Sequence, residues 1–355
     1  GYFVNNTSAA GLVKLPISAS AGDTIAIKDY AGNFGTNSLT IQRNGHNIQG
    51  VANDSEISTD RASLTLVYVD ATKGWLYAVE SNVQNFTKYV TATGGTVTTS
   101  GDFKIHVFTG DGNFVVSCAG SAAGSQKLDY LVVAGGGGAG GDGGGGGGAG
   151  GFRVSNSYSL PTPTMSPLIN PTGITAAVQT YPITVGGGGS AVPPGNAPAP
   201  APSPGSNSVF STITSAGGGA SGGYIGGSGH PDEGSGKGFN GGSGGAGSRH
   251  NFPVSPQGAG GVGNTPPVSP PQGNNGGTGN GTTSSSGGGG GAGAVGQNGY
   301  GPSQTGDGGA GSFVSICLSL PGNGTPGPVS GTRYFAGGGG GGGNTPGPNQ
   351  YVNAG

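Results

Sequence analysis

Charged side chains are scarce in this chain, since they make up 7% of its 355 residues and leave a net charge of −2. Disordered chains are typically rich in charge, so this composition argues against a disordered polymer. The 12 basic residues form no stripe, which argues against a nucleic-acid-binding surface. Acidic residues number 14 and become rare after Asp142, so paired catalytic carboxylates are not expected in the second half.

Long apolar segments, helical periodicity and metal-ligand spacing are missing as well. The sequence contains no apolar run of about 18 residues, so we expect no membrane insertion. No segment has an amphipathic helical period, and we expect almost no helix. The four histidines, at positions 46, 106, 230 and 250, lack the spacing of a zinc site. We therefore expect neither a metal nor another cofactor.

Glycine is abundant, at 87 residues together with 25 prolines, and much of it lies in runs. Such a composition often signals low complexity or disorder. Here, however, short apolar segments lead directly into the runs, which a flexible linker would not need. The lead-in segments are Leu128–Ala134, Tyr181–Val185, Val209–Ala216 and Arg333–Ala336, and the runs after them begin at Gly135, Gly186, Gly217 and Gly337. We therefore expect the glycine runs to be ordered.

Polyglycine II is the ordered form that fits these runs. It is a left-handed extended helix with three residues per turn, a rise of about 3.1 Å per residue and no internal hydrogen bonds. Its N–H and C=O groups must find partners on neighbouring helices when they are buried. We predict that residues 135–355 form a glycine-rich domain built on a polyglycine II helix bundle. Small residues in the runs are expected at its rim, as for Ala139, Ser221, Ser243 and Ala292.

The first 134 residues read as all-β. Short runs rich in β-branched and aromatic residues alternate with turn clusters, which predicts antiparallel modules of the β-sandwich or β-prism type. The runs in the first module are Ile25–Ile27, Leu39–Ile41, Leu64–Val69 and Trp75–Val79. We place an N-terminal β-module at 1–85 and a β-hairpin module at 86–134. In the second, Asp111-Gly112 predicts a hairpin between the alternating runs Phe103–Thr109 and Asn113–Cys118. His106 lies on a predicted strand and is expected to be a fold residue.

These motifs resemble a known family. The stretches TTSGDFKIHVFTGDGNFVVS, LDYLVVAGGGG, YPITVGGGG and YFAGGGGGGG follow one another as in the glycine-rich domain at the distal end of phage tail fibres. That domain is common in phages of aquatic bacteria, including cyanophages. The runs are also similar to the polyglycine sandwich of T-even-type fibre-tip adhesins, whose loops contact the host. The proline-rich stretches Pro193–Pro204 and Pro266–Pro271 depart from that pattern.

The resemblance implies a non-enzymatic receptor-binding protein of the virion, assembled in the host cytoplasm. Its partners would be a host cell-surface glycan or outer-membrane protein and other fibre or tail proteins. A homotrimer is expected, and a monomer stays open because a polyglycine tip can also function as one copy. In a reducing cytoplasm Cys118 and Cys317 would be buried free thiols. Because the chain begins at Gly1 without Met, we expect it to be part of a longer fibre. Two alternatives stay open: a structural glycine-rich extracellular filament or sheath protein, and a glycan-active enzyme.

The receptor contacts are expected on loops that join the glycine helices, because loops tolerate variation that a glycine lattice does not. Aromatic rings with polar partners favour surface recognition. The predicted receptor-binding residues are Tyr224, His230, Phe239, Arg249, His250, Phe252 and Tyr300. The alternative is that these side chains cap the glycine helices and shield the terminal hydrogen bonds from water.

Overall fold

The chain is all-β in a computed structural model. The structure describes residues 1–82, 89–121, 124–141, 143–158, 166–193, 202–223, 236–249, 258–280, 285–301, 304–315 and 324–343. Within these ranges there are strands and irregular segments but no α-helix, as predicted. The chain divides into two compact units, the first formed by residues 1–88 and 122–124 and the second by 89–121 and 125–355.

The first unit contains two sheets. Its strands are β1 (Tyr2–Val4), β2 (Gly11–Lys14), β3 (Thr24–Asp29), β4 (Leu39–Gln42), β5 (Ser55–Ile57), β6 (Ala62–Asp70) and β7 (Gly74–Asn82). One sheet has the order β1-β3-β6-β7 and the other β2-β4-β5. Ile27 and Leu66 of the first sheet and Leu39 of the second belong to one buried core that includes Trp75.

Two strand pairs of this unit are parallel, which corrects the purely antiparallel prediction. They are β1 with β3 and β2 with β4, whereas the other pairs are antiparallel. The chain passes to the other sheet between the members of each pair, and such a crossover lets two strands run in the same direction.

The second unit begins with strands and continues into the glycine-rich segments. Its strands are β8 (Val90–Thr93), β9 (Thr96–Ser100), β10 (Phe103–Val107), β11 (Gly112–Ala119), β12 (Lys127–Leu128), β13 (Leu131–Val133), β14 (Phe152–Ser155), β15 (Ile169–Asn170), β16 (Ile174–Thr175), β17 (Thr180–Thr184), β18 (Ser208–Phe210), β19 (Ile213–Ser215), β20 (Ser312–Val314), β21 (Thr325–Pro326) and β22 (Arg333–Phe335). The larger sheets have the orders β19-β18-β17-β11-β8, β13-β14-β15 and β20-β22-β21, and β9/β10 and β12/β16 form separate pairs.

The hairpin predicted at Asp111-Gly112 does not form. In this fully described stretch β10 pairs with β9, while β11 lies between β8 and β17. Asp111 instead accepts a hydrogen bond from the backbone N–H of Val185 at 2.8 Å, next to β17. His106 is a fold residue as predicted, since its Nδ1 lies 2.8 Å from the carbonyl oxygen of Gly94 and its ring contacts Phe114.

The lead-in segments are strands, as the sequence predicted. They correspond to β13, β17, β18 with β19, and β22. The segment 209–216 differs from the prediction because it folds back on itself at Ser211, whose φ is 54°, into the hairpin of β18 and β19. Cys118 is a half-buried free thiol on β11, and Cys317 lies outside the described residues.

Candidate functional site

The segment 241–249 illustrates how the glycine-rich chain packs. From Ser243 to Ser248 its N–H groups donate to three neighbouring segments in turn, and each neighbour is met again three residues later. The donor–acceptor pairs are Ser243–Ala149 and Ala246–Gly146, Gly244–Asn274 and Gly247–Gly277, and Gly245–Phe239 and Ser248–Gly236, with N···O distances of 2.9 to 3.0 Å. A repeat of three differs from the period of two in a β-strand and of 3.6 in an α-helix.

The carbonyl groups of this segment follow the same repeat. Ser243 and Ala246 accept from Gly219 and Gly222, and Gly244 and Gly247 accept from Gly290 and Gly287. Segment 241–249 is therefore bonded on all sides to other stretches of the same unit. These lateral bonds satisfy backbone groups that would be costly to bury alone.

The sheets set the register of the glycine segments that follow them. Strand β13 pairs with β14 so that Val133 lies opposite Phe152. The same register continues beyond the strands, where Ala134, Gly137 and Gly140 donate to Gly151, Gly148 and Gly145. The pairs β17/β18, β18/β19 and β20/β22 continue in the same way into the glycine segments that flank them.

The packed glycine segments have two different ends. Segments 135–141, 186–193 and 216–223 run parallel, because Gly189 and Val192 donate to Gly136 and Ala139 while Gly218 and Ser221 donate to Gly135 and Gly138. We call the end where they begin the strand end, because it adjoins β13, β17 and β19. We call the opposite end the connection end. The segments that run away from the strand end finish there, at the described residues Gly141, Pro193, Gly223, Arg249, Asn280, Gly301 and Gly343.

Most interior glycines have no space for a side chain. A Cβ on Gly247 would lie 1.6 Å from the carbonyl oxygen of Gly258, and one on Gly245 would lie 1.9 Å from that of Ala220. At the surface Gly187 differs, because a Cβ there would meet nothing within 4 Å.

The prediction that small residues occupy the rim is wrong for three of the four named. Ser221 and Ser243 have no exposed surface and Ala292 is 1% exposed, whereas Ala139 is half-buried. The packed segments leave room for one small side chain at these interior places, so packing rather than surface position selects Ala and Ser there.

Asparagine and glutamine side chains complete the lattice where a backbone partner is missing. The side-chain oxygens of Asn207, Asn240, Asn275 and Asn298 each accept from a backbone N–H of another segment, at 2.7 to 2.9 Å. Gln272 has no exposed surface; its oxygen accepts from Ala216 N–H and its nitrogen donates to the carbonyl of Pro266, both at 2.8 Å. Sequence reasoning did not identify these side chains, although asparagines beside glycine runs were visible.

Among the predicted receptor-binding residues, the structure describes Phe239, Arg249 and Tyr300. Tyr300 lies at the connection end and is 65% exposed, while Arg249 lies at the same end but is only 3% exposed, against Gly143. Phe239 is 38% exposed and lies part-way along the side, where its N–H donates to Ala220. Tyr224, His230, His250 and Phe252 lie outside the described residues.

The first unit has a shallow open groove of about 350 Å³, lined in part by Ile57, Leu64, Tyr77 and Glu80. Burial raises the pKa of Tyr77, whose hydroxyl donates to Ser55 Oγ at 2.7 Å. Within the described ranges no three His, Cys, Asp or Glu residues are grouped to hold a metal ion. Nor do those ranges contain a helix with the length and apolarity needed to cross a membrane.

The comparison with known families agrees with this architecture. Residues 108–355 match a family described as a glycine-rich domain. The chain belongs to this glycine-rich domain family. No curated protein matches the chain. The glycine-rich domain thus includes strand β11 and the sheets of the strand end as well as the packed glycine segments.

Proposed function

We propose that the packed glycine segments are polyglycine II helices and that the chain is the receptor-binding tip of a phage tail fibre. The helix assignment is supported by the three-residue repeat of the lateral hydrogen bonds in segment 241–249. Three residues per turn without internal bonds define that helix. The collisions that a Cβ would cause at Gly245 and Gly247 agree with helices packed this closely.

The observation that carries the receptor-binding proposal is the difference between the two ends. At the strand end, β13, β17 and β19 fix the glycine segments in sheets. At the connection end none of the described segments lies in a strand, and loops on a rigid scaffold are the usual place for recognition. Tyr300 is an exposed aromatic side chain there. The resemblance to tail-fibre tips supports the same assignment.

The remaining parts of the proposal follow from that resemblance. The first unit is a β-sandwich that joins the tip to other fibre or tail proteins, the fibre is a homotrimer, and its place is the virion. The partner is a host cell-surface glycan or an outer-membrane protein, bound without catalysis. Among the described residues near the connection end, Tyr300 is exposed and Arg249 is buried, which suits a contact made by aromatic and polar groups.

The test is binding of the labelled chain to a panel of aquatic bacteria, cyanobacteria included. Tyr300→Ala should weaken binding about tenfold, as loss of an exposed aromatic anchor does. Val295→Ala is the matched control, because Val295 is 58% exposed and lies near the other end of the same segment. Both variants should melt like the parent chain.

Two outcomes would contradict the proposal. If the chain binds no cells and only polymerises, the structural filament is the better description. If Tyr300→Ala and Val295→Ala weaken binding equally, recognition does not take place at the connection end.

A further inference from the structure

A groove runs along the side of the packed segments, and we call it the side groove. Its floor is segment 143–151, and its walls are segments 135–141 and 336–343, which both bond to the floor. The wall segments are not bonded to each other in the described part of the chain. Floor residues are buried, whereas the wall residues Gly136 and Gly339 are half-buried.

Gly147 and Gly150 are floor residues whose N–H groups face the side groove without an acceptor. Gly146, Gly148 and Ala149 donate to neighbouring segments, whereas Gly143, Gly145, Gly147 and Gly150 donate to no described residue. Of these four, Gly147 and Gly150 are the pair near the walls, because a Cβ on Gly339 would lie 3.2 Å from Gly147 N and one on Gly136 would lie 4.0 Å from Gly150 N. Both are buried, and they are three residues apart, so they face the same direction in a chain with a three-residue repeat. A buried N–H without a partner is costly. The side groove is therefore incomplete in hydrogen bonding.

The wall glycines differ from those of the interior. A Cβ on Gly136 would lie 3.6 Å from Gly148 O and 4.0 Å from Gly150 N, and neither Gly136 nor Gly339 has a positive φ. A side chain at position 136 would therefore not collide with the neighbouring backbone. Glycine also loses more backbone entropy on folding than alanine, so stability alone does not explain a glycine here. A side chain there would instead project over the floor. Glycine at this position keeps the side groove open.

We propose that the side groove binds an extended glycine-rich strand of a partner protein. The two free N–H groups are about 9 Å apart at three residues of 3.1 Å each, so they need carbonyls with the same spacing. A β-strand repeats its carbonyl direction every two residues, at about 6.7 Å, and does not match. The three segments contain no charged residue, which disfavours an ionic ligand. This inference rests on the proposed polyglycine II geometry, but because the groove lies on the side it does not depend on the receptor proposal.

The chain itself offers the probe. On another side of the floor, Gly146 and Ala149 donate to Gly287 and Gly290. A synthetic peptide with the sequence of Ser285–Gly293 should therefore pair with Gly147 and Gly150 in the same manner. In nuclear magnetic resonance, amide exchange of those two residues in the free chain should be faster than that of Gly148. Peptide should slow it about tenfold and leave Gly148 unchanged.

Gly136→Leu fills the side groove and should weaken peptide binding by about tenfold or more. Gly187→Leu is the matched control, since Gly187 is exposed and open, and it should bind the peptide normally. Gly339→Ala narrows the groove from the opposite wall, because its Cβ would lie 3.2 Å from Gly147 N. It is the replacement test variant if Gly136→Leu does not fold.

Three results would overturn the inference. The first is a peptide that does not bind the parent chain, or binds both leucine variants equally. The second is slow exchange at Gly147 and Gly150 without peptide. The third is evidence for a different occupant of the side groove. If the chain forms a dimer that Gly136→Leu dissociates, the occupant is a second copy of the chain. If the peptide binds only after residues 344–355 are removed, the occupant is the chain's own C-terminal segment.

Discussion

Gly247 lies where an added methyl group is least tolerable. Its ideal Cβ would be 1.6 Å from Gly258 O, whereas ordinary van der Waals contact begins at 3.4 Å. Neighbouring backbone must therefore move by well over an ångström. The movement disrupts the bond from Gly247 N to Gly277 O at 2.9 Å and the bond that Gly247 O accepts from Gly287 N at 3.0 Å.

The expected loss follows from these contacts. Overpacking a close-packed interior costs about 1–3 kcal/mol. Each buried backbone group left without a partner adds about 1–3 kcal/mol. Because at least two such groups lose their partners, Gly247→Ala should destabilise the second unit by about 3–9 kcal/mol. Gly187→Ala makes the same chemical change at an open surface position, where it should stabilise by about 0.4–1 kcal/mol because alanine loses less backbone entropy on folding.

Urea unfolding and calorimetry of the two variants test this difference, with amide exchange of Gly277 reporting on the second unit. Gly247→Ala should lower the melting temperature by about 10 °C or more, and Gly187→Ala should raise it slightly. A cost below about 1 kcal/mol for Gly247→Ala would refute the packing argument, because it would mean that these segments separate easily. Equal effects of the two variants would refute it as well.

The side-chain nitrogen of Asn274 donates to two carbonyl oxygens at 2.9 Å, whereas the side chain of Asn275 only accepts. Because a carboxylate cannot donate, Asn274→Asp should lower the free energy of unfolding by about 2–4 kcal/mol and Asn275→Asp should leave it almost unchanged, as measured by urea unfolding. At Asp29 burial raises the pKa, but backbone N–H groups, that of Arg61 foremost, outweigh burial and lower it. The stabilisation is thus present above the unfolded pKa of about 3.9 and is lost as pH falls through the lower folded value. Asp29→Asn should remove that acid-dependent loss, and a pH series of melting curves on the first unit measures it.

The strands were predictable where residues of one type recur. Leu39–Ile41 and Trp75–Val79 alternate or carry β-branched and aromatic residues, and both lie in strands. The strands β1 and β2 were missed because YFV and GLVK are short and follow no pattern that a turn cluster delimits.

The hairpin at Asp111-Gly112 failed because a local turn signal competes with tertiary pairing. Both edges of β11 are taken, by β8 and by β17, and β17 is more than 60 residues further along the chain than Asp111. A two-residue signal contains no information on such a distant partner. The same limit applies to Ser243, because a glycine run does not reveal which of its positions has room for a side chain.

For the candidate site, the sequence predicted aromatic residues near the ends of glycine runs, and Tyr300 is exposed at the connection end. The depth of Arg249 could not be foreseen, because its burial depends on Gly143, more than 100 residues away in sequence. Which segments are neighbours is decided by hydrogen bonds between chemically identical residues. Composition alone cannot distinguish those neighbours.

That degeneracy explains why strands precede the glycine runs. A run of identical residues can slide past its neighbour without a change in its contacts, and register is weakly specified in glycine-rich chains. A β-sheet cannot slide in this way, because a shift of one residue would expose a buried side chain such as Phe152. The pairing of β13 with β14 fixes one register, and Gly137 and Gly148 inherit it. Side chains at the strand end thus specify the position of backbone atoms along the glycine segments, as far as the connection end.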